Sequence, residues 1–134
     1  MTRTWPIIAV NNVAQSAASY TRLLNANNNH PGATVFDQIL DIDGTVLLCL
    51  HHWGPSGARG DHHWPSLAQA SDGQTGNGML LWFVVDDFDS AWQRAQALGA
   101  SIIETPNNDN GTSMRAFVVR DPDGYHVAVN ETYR

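Results

Sequence analysis

The sequence repeats itself, and this repeat limits the folds available to the chain. The stretch VNNVAQSAASYTRLL begins at Val10, and VDDFDSAWQRAQALG begins at Val85 and matches it without a gap. An Asp-x-Asp-Gly turn before an apolar run occurs at Asp43-Gly44 and again at Asp123-Gly124, with a slightly longer spacing between the copies. Two landmarks in the same order in each half indicate two modules of one design in tandem.

The two modules predict the same order of elements. Apolar, partly β-branched runs predict a first strand in each module, and the Asn or Asp residues that follow are helix N-cap types. Each module then continues as a meander of strands. The expected elements are the strands Pro6–Val10, Thr34–Leu40, Thr45–His51, Leu80–Val85, Ser101–Thr105, Ser113–Arg120 and Tyr125–Asn130 and the helices Ser16–Leu24 and Ser90–Leu98.

Composition narrows the class of partner. A chain of 134 residues is long enough for one domain with its own core. The formal net charge of −6 comes without any Lys/Arg cluster, which disfavours nucleic acid and anionic membranes and favours a cationic or neutral small ligand. A single cysteine, Cys49, excludes an internal disulfide, and the opening apolar run is too short for a signal peptide. We therefore expect a cytoplasmic protein that does not enter the membrane.

The paired modules resemble the vicinal oxygen chelate superfamily, which includes glyoxalase I, extradiol dioxygenases and bleomycin-resistance proteins. The most specific stretches are VDDFDSAWQRAQALGASIIETP and RDPDGYHVAVNE. The resemblance implies an α+β fold of two tandem βαβββ modules that form a curled mixed sheet around one concave site, and it implies a homodimer. It also implies one domain over residues 1–134, with module one at about 5–53, a linker or lid at about 54–78 and module two at about 79–134.

Metal-dependent members of this superfamily place His, Glu or Gln ligands at four positions, on the first and final strands of each module. Aligned by the strand-end valines and the Asp-Gly turns, these positions are occupied here by Trp5, Leu48, Leu80 and Ala128. None of these side chains offers a lone pair to a divalent cation. A register slip of one residue does not restore a ligand set. We therefore expect no metal and no other cofactor.

Other side chains are candidates for contact with a ligand. Strand alternation continued from Leu48 places Leu50 and His52 on its side, and on the last strand His126 and Asn130 share a side with Ala128. His52 and His126 are the candidate acid or base groups of an enzyme. The indoles of Trp5 and Trp82 suit a planar or cationic ligand, although core packing explains them equally well.

Two further candidates lie at the inter-module connection, and a third lies in the second module. The glycine-rich segment from Trp53 to Gly78 is either a lid, with Trp64 closing on a ligand, or a simple tether. Its histidines offer an alternative metal site, and Arg115 is a candidate for binding a ligand anion. The histidines of this cluster are His51, His52, His62 and His63.

These features support three hypotheses about function. The first is a metal-independent small-molecule-binding protein of the bleomycin-resistance type, which sequesters an antibiotic or a metabolite. The second is a metal-free lyase or isomerase that uses His52 or His126. The third is an enzyme with a metal at the loop histidines. Fold alone does not choose among them.

Overall fold

The structure is a computed structural model that describes residues 1–55, 64–68, 78–109 and 114–132. Within these residues, seven strands and two α-helices follow one another in the order that the duplication predicts, and a short strand β2 and a 3₁₀ turn are found in addition. The elements are β1 (Ile7–Val10), α1 (Val13–Leu24), β2 (Asn27–Asn28), β3 (Phe36–Leu40), β4 (Val46–His52), the 3₁₀ turn Pro65–Leu67, β5 (Leu81–Val85), α2 (Phe88–Ala97), β6 (Ser101–Asn107), β7 (Ala116–Arg120) and β8 (His126–Glu131).

The strands form two four-stranded mixed sheets, which confirms the α+β fold class. The orders are β1-β4-β3-β2 and β5-β8-β7-β6. In each sheet the first strand pairs in parallel with the last strand of its module, and the remaining pairs are antiparallel. Contacts divide the chain into two compact units, the first with β1–β4 and the second with β5–β8 and α2. Among the described residues, no helix has the length and apolar character needed to cross a membrane.

In the first unit, α1 begins after a side-chain cap. Asn12 Oδ1 accepts a hydrogen bond of 2.9 Å from the backbone N–H of Gln15, which satisfies one of the free donors of the first turn. The helix buries Val13, Ala17 and Tyr20. These residues recur at intervals of three and four, so one apolar stripe of the helix is removed from water.

In the second unit, α2 packs on one side of its sheet. Phe88 and Trp92 lie with their ring centroids 5.6 and 5.1 Å from that of Phe117 on β7. Asp87 caps the helix by accepting a 3.1 Å hydrogen bond from the backbone N–H of Ser90. Hydrogen bonds from the Ser90 side chain and backbone also lower the pKa of the Asp87 carboxyl below its ordinary value. The helix-bearing side of this sheet is therefore the side on which Phe117 lies.

Both Asp-Gly turns form the hairpins that the repeat predicts. In the second, the Gly124 N–H donates to Asp121 O at 3.1 Å and the Asp121 N–H donates to Tyr125 O at 2.8 Å, and the same pair of bonds joins Asp41, Gly44 and Thr45. Gly44 and Gly124 have φ angles of 86° and 95°. Only glycine adopts this left-handed conformation without a steric cost.

Replacing Gly124 with alanine tests this requirement. A Cβ at Gly124 meets nothing within 4 Å, so the cost is that of the backbone conformation alone. We expect Gly124→Ala to lower the free energy of unfolding by about 1–2 kcal/mol in chemical denaturation. Gly124→Asn is the matched control and should lose less, because Asn adopts the left-handed region more readily. Equal free energies of unfolding for the native protein and both variants would contradict the left-handed conformation of Gly124.

Candidate functional site

In the second unit, strand register decides which residues share the side without a helix. Trp82 on β5 lies beside Ala128 on β8, and Ala128 lies beside Val118 on β7. Their neighbours Leu81, Val127 and Val119 alternate to the helix-bearing side, because successive side chains of a strand point to opposite faces. We call the other side the helix-free face of this unit; it carries Trp82, Val84, Ala116, Val118, Arg120, His126, Ala128 and Asn130.

Part of this helix-free face is exposed and apolar. Trp82 and Val84 retain 49% and 57% of their accessible surface, whereas Ala128 and Asn130 on the neighbouring strand are buried. Leu80 immediately precedes β5 and is 49% exposed. The prediction that His126 and Asn130 share a side with Ala128 agrees with the register of this unit, and the pairing of Trp82 with Ala128 adds Trp82 to this side.

In the first unit, a β-bulge changes the expected register. The strand β4 is one residue longer than β8, and the pairing of β3 with β4 shifts between Ile39 and Leu40. At the turn, Val46 corresponds to His126 as the repeat predicts, because each pairs with the last residue of the preceding strand. Beyond the bulge, the residue that corresponds to Ala128 is Cys49 and no longer Leu48.

The parallel partners of these two residues confirm the shift. Cys49 pairs with Ile7, and Ala128 pairs with Trp82. Ile7 corresponds to Trp82 in the repeat of the first strands, in which Val10 corresponds to Val85. Gln38 Nε2 also donates to Cys49 Sγ at 3.7 Å, so the two side chains lie on the same side of the sheet. The helix-free face of the first unit carries Ile7, Ala9, Phe36, Gln38, Cys49 and His51.

The expectation that Leu48, Leu50 and His52 share the ligand side is wrong in this register. They correspond to Val127, Val129 and Glu131, which alternate with the residues of the helix-free face. His52 is further engaged through its Nε2 with the carbonyl oxygen of Pro55. The physical reason is the bulge, since one additional residue moves every later side chain of a strand to the opposite face.

The residues at the four metal-ligand positions do not fit a metal. With the bulge taken into account these residues are Trp5, Cys49, Leu80 and Ala128, so one thiol replaces Leu48. Burial of Cys49 raises the pKa of its thiol above the ordinary value of 9.0, which disfavours the thiolate that metals bind. Within the described part of the chain, no group of three or more His, Cys, Asp or Glu side chains is arranged to hold a metal ion.

Trp5 lies at a separate cleft of the first unit. This residue is 56% exposed and precedes β1. The cleft has a volume of about 450 Å³ and runs between the N-terminal segment and the first Asp-Gly turn. Its lining residues are Arg3, Thr4, Trp5, Asp43, Gly44, Thr45 and Val46.

Arg115 is occupied by carboxylates of its own unit. Its Nε donates to Glu131 Oε2 and its Nη1 to Asp89 Oδ1, both at 3.1 Å, and its guanidinium lies 4.6 Å from the ring centroid of Phe88. The hydrogen bond to Glu131 is the main reason why the pKa of Arg115 is raised. Because Phe88 belongs to α2, this contact places Arg115 on the helix-bearing side, away from Trp82 and Ala128.

Most of the predicted lid and metal loop lies outside the described residues, including His62 and His63. Trp64 is described, precedes the 3₁₀ turn and is 52% exposed. The lid hypothesis and the loop-metal hypothesis therefore remain predictions.

Sequence reasoning missed Cys49 and His51 as residues of the helix-free face. His51 retains only 3% of its accessible surface and Cys49 only 1%. The run Leu47, Leu48, Cys49, Leu50 is apolar at every position, so it carries no alternation from which the register can be read. The only signal in the sequence is the repeat between the two modules. It reveals the one-residue shift of β4 only after the strand pairing of both modules is known.

Cys49 offers a direct test of the burial of β4, because it is the only cysteine of the chain. Its burial and raised thiol pKa predict that a disulfide reagent such as DTNB reacts with the native protein at pH 8 on the order of tenfold or more slowly than with the urea-unfolded protein. Cys49→Ser is the blank. Equal rates in the native and unfolded protein would contradict the placement of Cys49.

Comparison with solved structures supports the same fold. A protein of unknown function from Agrobacterium tumefaciens str. C58 is similar with a TM-score of 0.71 and 24% identity, over 99% of this chain and 95% of that chain. TioX from Micromonospora sp. ML1 has a TM-score of 0.68 and 16% identity, over 98% and 100%. The fosfomycin resistance protein FosX from Listeria monocytogenes has a TM-score of 0.63 and 14% identity, over 99% and 94%. At these identities the likeness concerns the fold alone.

The sequence itself identifies the family. No curated protein matches the chain significantly. The family model described as Glyoxalase/Bleomycin resistance protein/Dioxygenase superfamily matches residues 4–129, which is nearly the whole chain. Together with two βαβββ units and paired Asp-Gly hairpins, this match shows that the chain belongs to the Glyoxalase/Bleomycin resistance protein/Dioxygenase superfamily.

Proposed function

We propose that this chain is a metal-independent small-molecule-binding protein of the glyoxalase/bleomycin-resistance type, which sequesters an antibiotic or a metabolite. The observation that carries the proposal is the pair Trp82 and Ala128. Ala128 stands where metal-dependent relatives carry a ligand, and its neighbour across the strands is a half-exposed indole. The position at which a metal ligand would support Lewis-acid chemistry is thus occupied by Ala128, and Trp82 beside it offers an indole suited to stacking.

The exposed apolar residues of the second unit support a binding surface. Leu80, Trp82 and Val84 follow one another at alternate positions, and each keeps about half of its surface in contact with water. Contiguous exposed apolar surface of this kind marks a site for a ligand or for another protein surface. A homodimer, as the family resemblance implies, would cover part of it.

Charge and shape define the class of ligand. The net charge of −6 favours a cationic or neutral molecule over an anion. An indole attracts flat rings and cations through its π face. Because Arg115 is paired with Glu131 and Asp89, it does not supply an anion-binding group to the helix-free face. We therefore propose a planar, preferably cationic ligand.

The alternative function is a metal-free lyase or isomerase with a histidine as the proton-transfer group. The strand register favours His126 over His52 for this role, because His126 belongs to the helix-free face and is exposed. Within the described residues, His126 has no hydrogen-bonded carboxylate to orient its ring. Sequestration therefore remains the function that the geometry supports better.

Substitution of Trp82 tests the binding surface. We expect planar cations such as acridinium and phenanthridinium dyes to quench tryptophan fluorescence saturably, and Trp82→Ala to weaken their binding about tenfold, corresponding to about 1.4 kcal/mol. Because Trp82 is half exposed, the substitution should leave thermal stability nearly unchanged.

Trp92→Phe is the control for this experiment, since it removes an indole on α2 and should leave affinity intact. A flat response of the native protein across a broad panel of planar cationic and neutral compounds would contradict the proposed function. Unchanged affinity in Trp82→Ala would show that the dyes bind elsewhere on the protein.

A further inference from the structure

Each unit contains one buried polar atom without a protein partner on its helix-free face. These atoms are Nε2 of His51 and Oδ1 of Asn130, and they are the only such side-chain atoms among the described residues. The side chains belong to residues that are 3% and 5% exposed. Buried polar groups in native proteins almost always have partners, so each exception calls for an explanation.

The two residues occupy corresponding positions of the duplicated fold. His51 pairs with Ala9 and Phe36, and Asn130 pairs with Val84 and Ala116. Each lies two residues after the position on its strand where metal-dependent superfamily members carry a ligand. That position is Cys49 in the first unit and Ala128 in the second. An unpartnered atom that recurs at the same position of both repeats points to a common use.

Hydrogen bonding identifies both atoms as acceptors. Asn130 Nδ2 donates to the carbonyl oxygen of Glu131 at 2.6 Å, which assigns the amide and leaves Oδ1 as an acceptor. His51 Nδ1 contacts the carbonyl oxygen of His52. A carbonyl can only accept, so Nδ1 is the donor of this contact, and in the tautomer with its hydrogen on Nδ1 the Nε2 atom is an acceptor.

The surroundings of Asn130 indicate how a ligand reaches it. On one side it is flanked by Val84, which is 57% exposed, and Trp82 precedes Val84 on the same strand and the same face. A flat molecule stacked on Trp82 would therefore lie against Val84, and a shift of this exposed side chain would bring its edge to Oδ1.

We propose that Asn130 Oδ1, and His51 Nε2 in the other unit, are hydrogen-bond acceptors that select ligands bearing N–H donors, such as aromatic amines or amidines. This inference rests on the proposed function and narrows its ligand class. A buried acceptor loses its hydrogen bonds to water, and only a ligand with a donor restores one. The preference for a donor-bearing ligand over its alkylated analogue should be roughly five- to a hundredfold.

Two dyes provide a matched pair for this test. Proflavine and acridine orange share the planar acridinium ring and its ring N–H, and they differ only in the exocyclic amines, which are primary in proflavine and fully methylated in acridine orange. The inference assigns the hydrogen bond to an exocyclic amine. Titration of the native protein, followed by tryptophan quenching and by dye fluorescence polarisation, should give a proflavine dissociation constant at least about fivefold lower than that of acridine orange.

Variants then assign the preference to Asn130. Asn130→Leu should abolish it, while Asn130→Asp keeps an acceptor at Oδ1 and should retain it. Gln96→Leu, which removes an exposed amide on α2, is the control and should change nothing. Thermal unfolding of each variant confirms that the protein compared is folded.

The outcomes separate this inference from the proposed function. Equal affinity of the native protein for the two dyes, or a preference that survives in Asn130→Leu, overturns the inference while small-molecule binding stands. Saturable binding of neither dye also overturns it, and the broader compound panel then decides the proposed function. The comparison of the dyes on the native protein remains decisive even if Asn130→Leu does not fold.

Discussion

The register of the central strand in each sheet determines what this protein presents to a ligand. β4 and β8 each pair in parallel with the first strand of their module and antiparallel with the strand before the Asp-Gly turn. Side chains alternate between the two faces, so a shift of one residue exchanges the face beneath the helix for the helix-free face. The bulge in β4 makes this exchange, and it brings Cys49 and His51 to the positions that Leu48 and Leu50 would otherwise hold.

The sequence predicts much of this architecture because its two modules can be aligned with each other. The correspondence between the first strands and helices of the two modules holds in the structure, and both Asp-Gly turns form where the repeat places them. The bulge could not be predicted, because Leu47 through Leu50 are apolar on both faces and leave no pattern to read. β8 has no such irregularity, and the predicted grouping of His126, Ala128 and Asn130 agrees with its register.

The side chains at the four metal-ligand positions differ in kind from those of the metal-dependent superfamily members. Trp5, Cys49, Leu80 and Ala128 replace the hard donors of the metal-dependent superfamily members, and the single thiol among them is buried and protonated more readily than usual. In the proposed function, stacking on Trp82 and a hydrogen bond to Asn130 are the contacts that the second unit would offer to a ligand. Together they would select by shape and by donor groups, without a Lewis acid.

The most direct test of metal-independent binding is one dissociation constant measured three times on protein purified without a metal-affinity tag. Proflavine affinity is determined before chelator treatment, after it, and after addition of one equivalent of Mn²⁺, Ni²⁺ or Zn²⁺, with metal content measured on each sample. Metal-independent binding predicts the same dissociation constant throughout and far less than one metal ion per chain in the untreated sample. Two results would contradict metal-independent binding. One is a stoichiometric metal whose removal weakens proflavine binding tenfold or more, and the other is a tenfold or larger gain in proflavine affinity when one of the cations is added.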